Sequence, residues 1–218
     1  MTRYIFRLAT ENDRSAIHRL QTELAAELGG PMSIDAAGDA RGDSFVVEAA
    51  GADGRRAVGM MSLTRASARP FAFEDAFPGV WNDWALPVSA GKLDLHRCDL
   101  VELDWGYIEK PYRGQGFGVL LLAASLLHAH QRGYVACVAV AGEDALRKLP
   151  RGAFHPTGFV THLAGVRYEL GTLLPAELAA PMAASVHRAR TSDSRIAWEL
   201  PCRATGPRWH GHEMRVVG

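Results

Sequence analysis

Two carboxylates and a run of glycines carry the chemistry legible in this chain. Glu102 and Asp104 stand two apart in VELDWGYI, so on a strand they share a face and can bracket an ammonium. In a largely apolar cleft their pKa values rise, toward that of a base working near neutral pH. Shortly after come Arg113, Gly114, Gln115, Gly116, Phe117, Gly118 and Val119. Glycines lack a Cβ, so their backbone N–H groups can converge closely on an anion. The pattern predicts a strand over 101–108 and an apolar helix from Val119 onward, whose first N–H groups and dipole add to the same point. Together they form a phosphate cradle.

Spacing narrows what the cradle holds. The dinucleotide fingerprint requires a glycine where Val119 stands, and a Walker A loop requires Gly-Lys-Ser/Thr, which is missing. A glycine-rich turn without a ligand is the plain alternative. The motif itself, Pro111-Tyr112-Arg113-Gly114-Gln115-Gly116-Phe117-Gly118, resembles the pyrophosphate loop of the GCN5-related N-acetyltransferases, which hold acetyl-coenzyme A.

That resemblance implies an α/β fold: a central twisted, mostly antiparallel mixed sheet with a V-shaped splay and helices on both faces. It implies acetyl-CoA as co-substrate without a metal, and transfer of acetyl to an amine of a small molecule. Residues 113–119 would hold the pyrophosphate. Tyr107 and Ile108, with Gly106, would offer backbone groups to the pantetheine and the thioester carbonyl. Glu102 is slightly preferred over Asp104 as base because it reaches further, and one of the two is expected only to bind a cation or pair with an arginine.

The general acid departs from the family pattern. The usual tyrosine position falls on Phe154 or, in another register, Leu149. His155 is the candidate to protonate the thiolate; a loop role for it, with water as the acid, stands beside that. Two other functions stay open: a catalytically weak acyl-CoA-binding regulatory module, and an acyltransferase using a longer acyl donor.

Composition agrees with a folded domain. The chain has 218 residues, 48% of them hydrophobic, enough for one core. Lys plus Arg (24) balances Asp plus Glu (24), so nothing pulls toward nucleic acid or an anionic membrane. Cys98, Cys137 and Cys202 lack metal or disulfide spacing, and no apolar run reaches the roughly 20 residues that span a bilayer. A cytoplasmic protein is expected, and a homodimer is left open.

Around the motif the pattern predicts a strand at 4–8, a helix carrying Ile17, Leu20, Leu24 and Leu28 that stops at Gly29, Gly30 and Pro31, and a hairpin of 44–50 with 57–65. A long insert at about 66–99 holds Phe71, Phe73, Phe77, Trp81 and Trp84. It either covers the acceptor pocket, or its aromatics pin it to the core or bury a dimer contact. After Gly133 come a strand at 134–141, a short helix from Ala145 and a late strand pair ending at Leu170. The resemblance covers roughly residues 3–170 of a domain read as 1–170; 171–218 reads as an appendage packed on that domain, with a helix over 173–190. Trp209, His210, His212 and Glu213 read as a solvated end, not a metal site.

Overall fold

The computed structural model describes residues 2–29, 42–52, 54–65, 71, 73–74, 77, 85–88, 91–94, 100–163, 165–199 and 216–217. Trp81, Trp84, Pro31, Cys98, Cys202 and the His210–His212 stretch fall outside them.

The chain opens with β1 (Arg3–Leu8), whose Tyr4, Ile5 and Phe6 are buried on both faces of the sheet. A 3-10 turn leads into α1 (Arg14–Glu27). Asp13 fixes that junction. Its Oδ2 accepts from Thr10 N–H at 2.7 Å and Thr10 Oγ1 at 2.9 Å, while Arg7 holds both of its oxygens. α1 gives way to Gly29 at φ +77°, a conformation glycine adopts at little cost. β2 (Gly42–Gly51) and β3 (Gly54–Arg65) form the expected hairpin.

β4 (Ala85–Val88) and β5 (Gly91–Asp94) pair within the insert. β6 (Leu100–Ile108) then leads through a short 3-10 turn to α2 (Phe117–Gln131). This helix starts two residues before the expected Val119, because Gly116, left-handed at φ +81°, is its N-cap. Phe117 is thereby drawn under Tyr4 and Phe6, with ring centroids 4.6 and 5.6 Å away.

β7 (Ala136–Gly142), the short α3 (Glu143–Leu146), β8 (Phe154–Leu163) and β9 (Val166–Leu173) follow. From Gly171 to Glu199 the chain adds to the same sheet and core. α4 (Pro175–Ser192) begins at its proline rather than at Leu173, which belongs to β9. β10 (Ile196–Glu199) pairs with β1, and β11 (Val216–Val217) pairs with β5.

The main sheet has eight strands in the order β10-β1-β2-β3-β6-β7-β9-β8. Only β10–β1 and β6–β7 are parallel. On one face α2 and α4 bury Phe6, Phe45, Leu121, Leu126 and Met182. α2 is apolar nearly all round because the sheet covers one side and α4 another. The opposite face is shared. α1 brings Ile17 and Leu20 onto Val46, Met60 and Tyr107, and the insert brings Phe71, Phe73 and Phe77 onto Leu100, Val138 and Leu170. These phenylalanines pack onto the sheet, and Phe71 and Phe73 are each 1% exposed.

Candidate active site

β6 and β7 run parallel and pair from Leu100↔Ala136 to Leu103↔Ala139, and there the ladder ends. Beyond that point β6 stays with β3 and β7 stays with β9, so the two strands part. The gap is the V-shaped splay. Asp104 is the first residue past its apex. Next, Trp105 and Gly106 stand against the single residue Met61, since Ser62 pairs with Asp104 and Met60 with Tyr107. This bulge resets the alternation, so Leu100, Glu102, Asp104 and Tyr107 all face the side of α1 and the insert.

The cradle lies where β6 runs out. Gly114 and Gly116 adopt φ of +79° and +81°, which other residues reach only with strain. A Cβ at Gly114, Gly116 or Gly118 would meet nothing within 4 Å, so each opens onto free space. Among the described residues, no backbone carbonyl takes an N–H from residues 114–119. α2 supplies the dipole, and its first turn supplies N–H groups without helical partners. An anion fits here.

Arg113 does not point its charge into the cradle. Its Nε donates to Ile108 O at 2.8 Å, its Nη2 reaches both Glu27 oxygens at 3.0 and 2.8 Å, and its guanidinium lies over the Tyr107 ring, 5.2 Å from the centroid. Tyr107 donates its hydroxyl to Glu27 Oε1 at 2.8 Å. Burial, then the Glu27 bond, pushes the Tyr107 phenol up to about 12. Burial raises the Glu27 carboxyl, but the bonds from Arg113 and Tyr107 outweigh it and hold the group below its usual value. Gln115, exposed, and Val119, half-buried, complete the loop.

The paired carboxylates share a face as expected, but their surroundings differ. Asp104 is half-buried beside the splay. Glu102 is 4% exposed, and its Oε1 accepts the Phe73 N–H at 2.9 Å. His155 lies in β8, not in a loop. It is buried, its Nε2 makes no hydrogen bond among the described residues, and Glu177 Oε2 is 3.9 Å away. Ladder pairing puts Glu102, Val138, Thr172 and His155 in one cross-strand row. Three strand spacings amount to about 14 Å, so His155 is not brought together with the carboxylates.

A phenol that no local motif marks stands nearer the splay. Tyr168 pairs with Gly142 at the open end of β7, and its ring would lie 3.2 Å from a Cβ there. Burial raises its pKa. Only the antiparallel register of β7 with β9 reveals it, since 26 residues of chain separate the partners.

Among the described residues there is no group of three or more potential metal ligands, and no helix is long and apolar enough to cross a membrane.

No family model matches the chain, and no curated protein does. Solved structures do. The chain is similar to BjaI, a CoA-dependent acyl-homoserine lactone synthase solved with SAM and isopentyl-CoA, at 15% identity and a TM-score of 0.62, covering 92% of this chain and 95% of that one. FeeM, an N-acyl amino acid synthase from uncultured soil microbes, matches at 14% identity and 0.59, covering 82% and 99%. A putative N-acetyltransferase from Lactobacillus plantarum matches at 16% and 0.51, covering 79% and 97%. The chain has the fold of the GCN5-related N-acetyltransferases, the acyl-CoA N-acyltransferase fold.

Proposed function

We propose that the chain is a coenzyme A-dependent N-acyltransferase that moves an acyl group to an amine of a small molecule. One observation carries this reading: the strand that places Asp104 at the apex of the splay runs directly into the glycine cradle at the N-terminus of α2. The cradle takes the pyrophosphate through backbone N–H groups, and the splay admits the pantetheine arm.

Asp104 removes a proton from the acceptor ammonium, and the freed amine attacks the thioester carbonyl carbon. The tetrahedral oxyanion is met by the backbone N–H of Ile108 on the edge of β6 that has left β7, the Tyr107 N–H being turned toward β3. Collapse breaks the C–S bond, the nitrogen gives up its second proton to water as the amide forms, and the thiolate takes a proton from water or from Tyr168, which water then reprotonates. Cationic acceptors are favoured by the Asp104 carboxylate at the apex of the splay.

Acetyl is the first donor to test. A specific observation favours a longer one: the apolar layer of Phe71, Phe73, Phe77, Leu100, Val138 and Leu170 adjoins the splay, as the wall of an acyl tunnel would. BjaI, solved with isopentyl-CoA, has the same fold. Calorimetry with acetyl-CoA and isopentyl-CoA, followed by free-thiol release over a panel of amines, separates the readings. Binding and turnover with acetyl-CoA support acetyl transfer, and a preference of tenfold or more for isopentyl-CoA supports the longer donor. Binding without transfer to any amine points to a regulatory acyl-CoA-binding module, and failure to bind either thioester overturns the proposal.

A further inference from the structure

We propose that Glu102 is a positioning residue whose carboxylate seats the aromatic insert on the sheet beside the splay, leaving proton removal to Asp104. The catalytic part of this rests on the acyltransferase reading above.

Glu102 has the residue type and strand position of a base, but its environment is that of an anchor. It is 4% exposed and takes the Phe73 N–H on Oε1 at 2.9 Å, a bond shielded from water. That bond fixes one turn of chain. Phe71 N–H donates to Glu74 Oε1 at 3.0 Å, Glu74 N–H to Phe71 O at 3.1 Å, and Phe77 N–H to Phe73 O at 2.9 Å. With the turn set, the Phe71 and Phe73 rings stack at 5.4 Å and 16°, and Phe77 meets Phe159 edge-on at 6.3 Å. All three rings rest on the β6-β7-β9 face. Apolar packing alone does not fix where they slide along that face, because it has little directionality. A hydrogen bond to one backbone atom does fix it. Asp104 lies one pleat repeat, about 7 Å, further along β6, so the seated insert forms the wall next to the proposed base.

Three variants test this. Glutamine at 102 keeps a carbonyl oxygen for the Phe73 N–H, alanine removes it, and aspartate withdraws it by one methylene. Glu102→Gln is expected to hold kcat and the acid limb of its pH profile within about threefold of wild type. Glu102→Ala and Glu102→Asp are expected to speed hydrogen exchange at the Phe73 amide tenfold or more and to raise the acceptor KM more than they lower kcat. A hundredfold fall in kcat with loss of the acid limb in Glu102→Gln would make Glu102 the base and overturn the proposal. So would unchanged Phe73 exchange in Glu102→Asp, which tests the anchor even where alanine prevents folding. The exchange readout needs no turnover, so it judges the anchor separately from the acyltransferase reading.

Discussion

Nη2 of Arg113 lies 2.8 Å from Oε2 of Glu27, so the cation at the head of the glycine loop is bound to the end of α1. The loop must then meet an anion with backbone N–H groups and the helix dipole. Arg113→Gln is therefore expected to weaken acyl-CoA binding by less than threefold in calorimetry. The pair is partly exposed, so its loss costs roughly 0.2–1 kcal/mol of stability. A hundredfold loss of binding would show that the guanidinium leaves Glu27 for the ligand.

Gly118 separates folding from binding. It lies in the first turn of α2 without a positive φ, and a side chain there would enter open space. Gly118→Leu should raise thermal stability, by up to about 1 kcal/mol from helix propensity. It should also lower acyl-CoA affinity at least tenfold by filling the cradle. Gly116→Leu is the contrast, since its left-handed φ of +81° adds strain to the blockage.

Tyr168 is the side chain proposed to protonate the departing thiolate, with water as the other source. Tyr168→Phe is expected to lower kcat by roughly 10²-fold, with little change in either KM. A general acid must be protonated, so the wild-type rate falls as pH rises through the pKa of the phenol. Burial raises that pKa, placing the fall above pH 10. The variant should lose this limb; an unaltered profile would leave the step to water.

The turn between β1 and α1 should be the acid-sensitive part of the fold. The Arg7 bond, against burial, holds Asp13 at about 2, below its ordinary 3.8. A depressed carboxyl contributes stability that is fully present above the unfolded pKa and is lost as pH falls through the folded one. Asp13 thus supplies roughly 2 kcal/mol at neutral pH, which drains away between about pH 4 and 2. Urea unfolding across that window should show the loss in wild type and a flatter dependence in Asp13→Asn. Asp43, lowered chiefly by its bond to His128, adds to the slope in the same direction.

The cradle could be read early because its causes are local. Positive-φ glycines at the start of a helix announce themselves within a few residues, and the pairing of Glu102 with Asp104 on one face needs only the strand period. Reading further required contacts distant in sequence. Whether Glu102 meets solvent or the Phe73 amide depends on how the insert docks. Tyr168 becomes visible only through its register with Gly142. His155 looked like a loop residue because Pro156 follows it, yet β8 is the edge strand of the sheet, where a proline disturbs no ladder on its open side. β10 is too short to declare its partner, and only the folded chain shows that it completes the far edge.

The parallel pairing of Tyr4 with Ile196, with Trp198 stacked on Phe6 at 5.3 Å, also has a consequence for synthesis. As the chain leaves the ribosome, β1 can join β2 early, but its other side stays bare until β10 emerges nearly 200 residues later. Through that interval a strand with three buried positions waits with an open edge that other chains can pair with. Interrupted translation or C-terminal trimming before Ile196 would make that state permanent. Loss of these few residues would therefore appear as insoluble protein before it appeared as a change in catalysis.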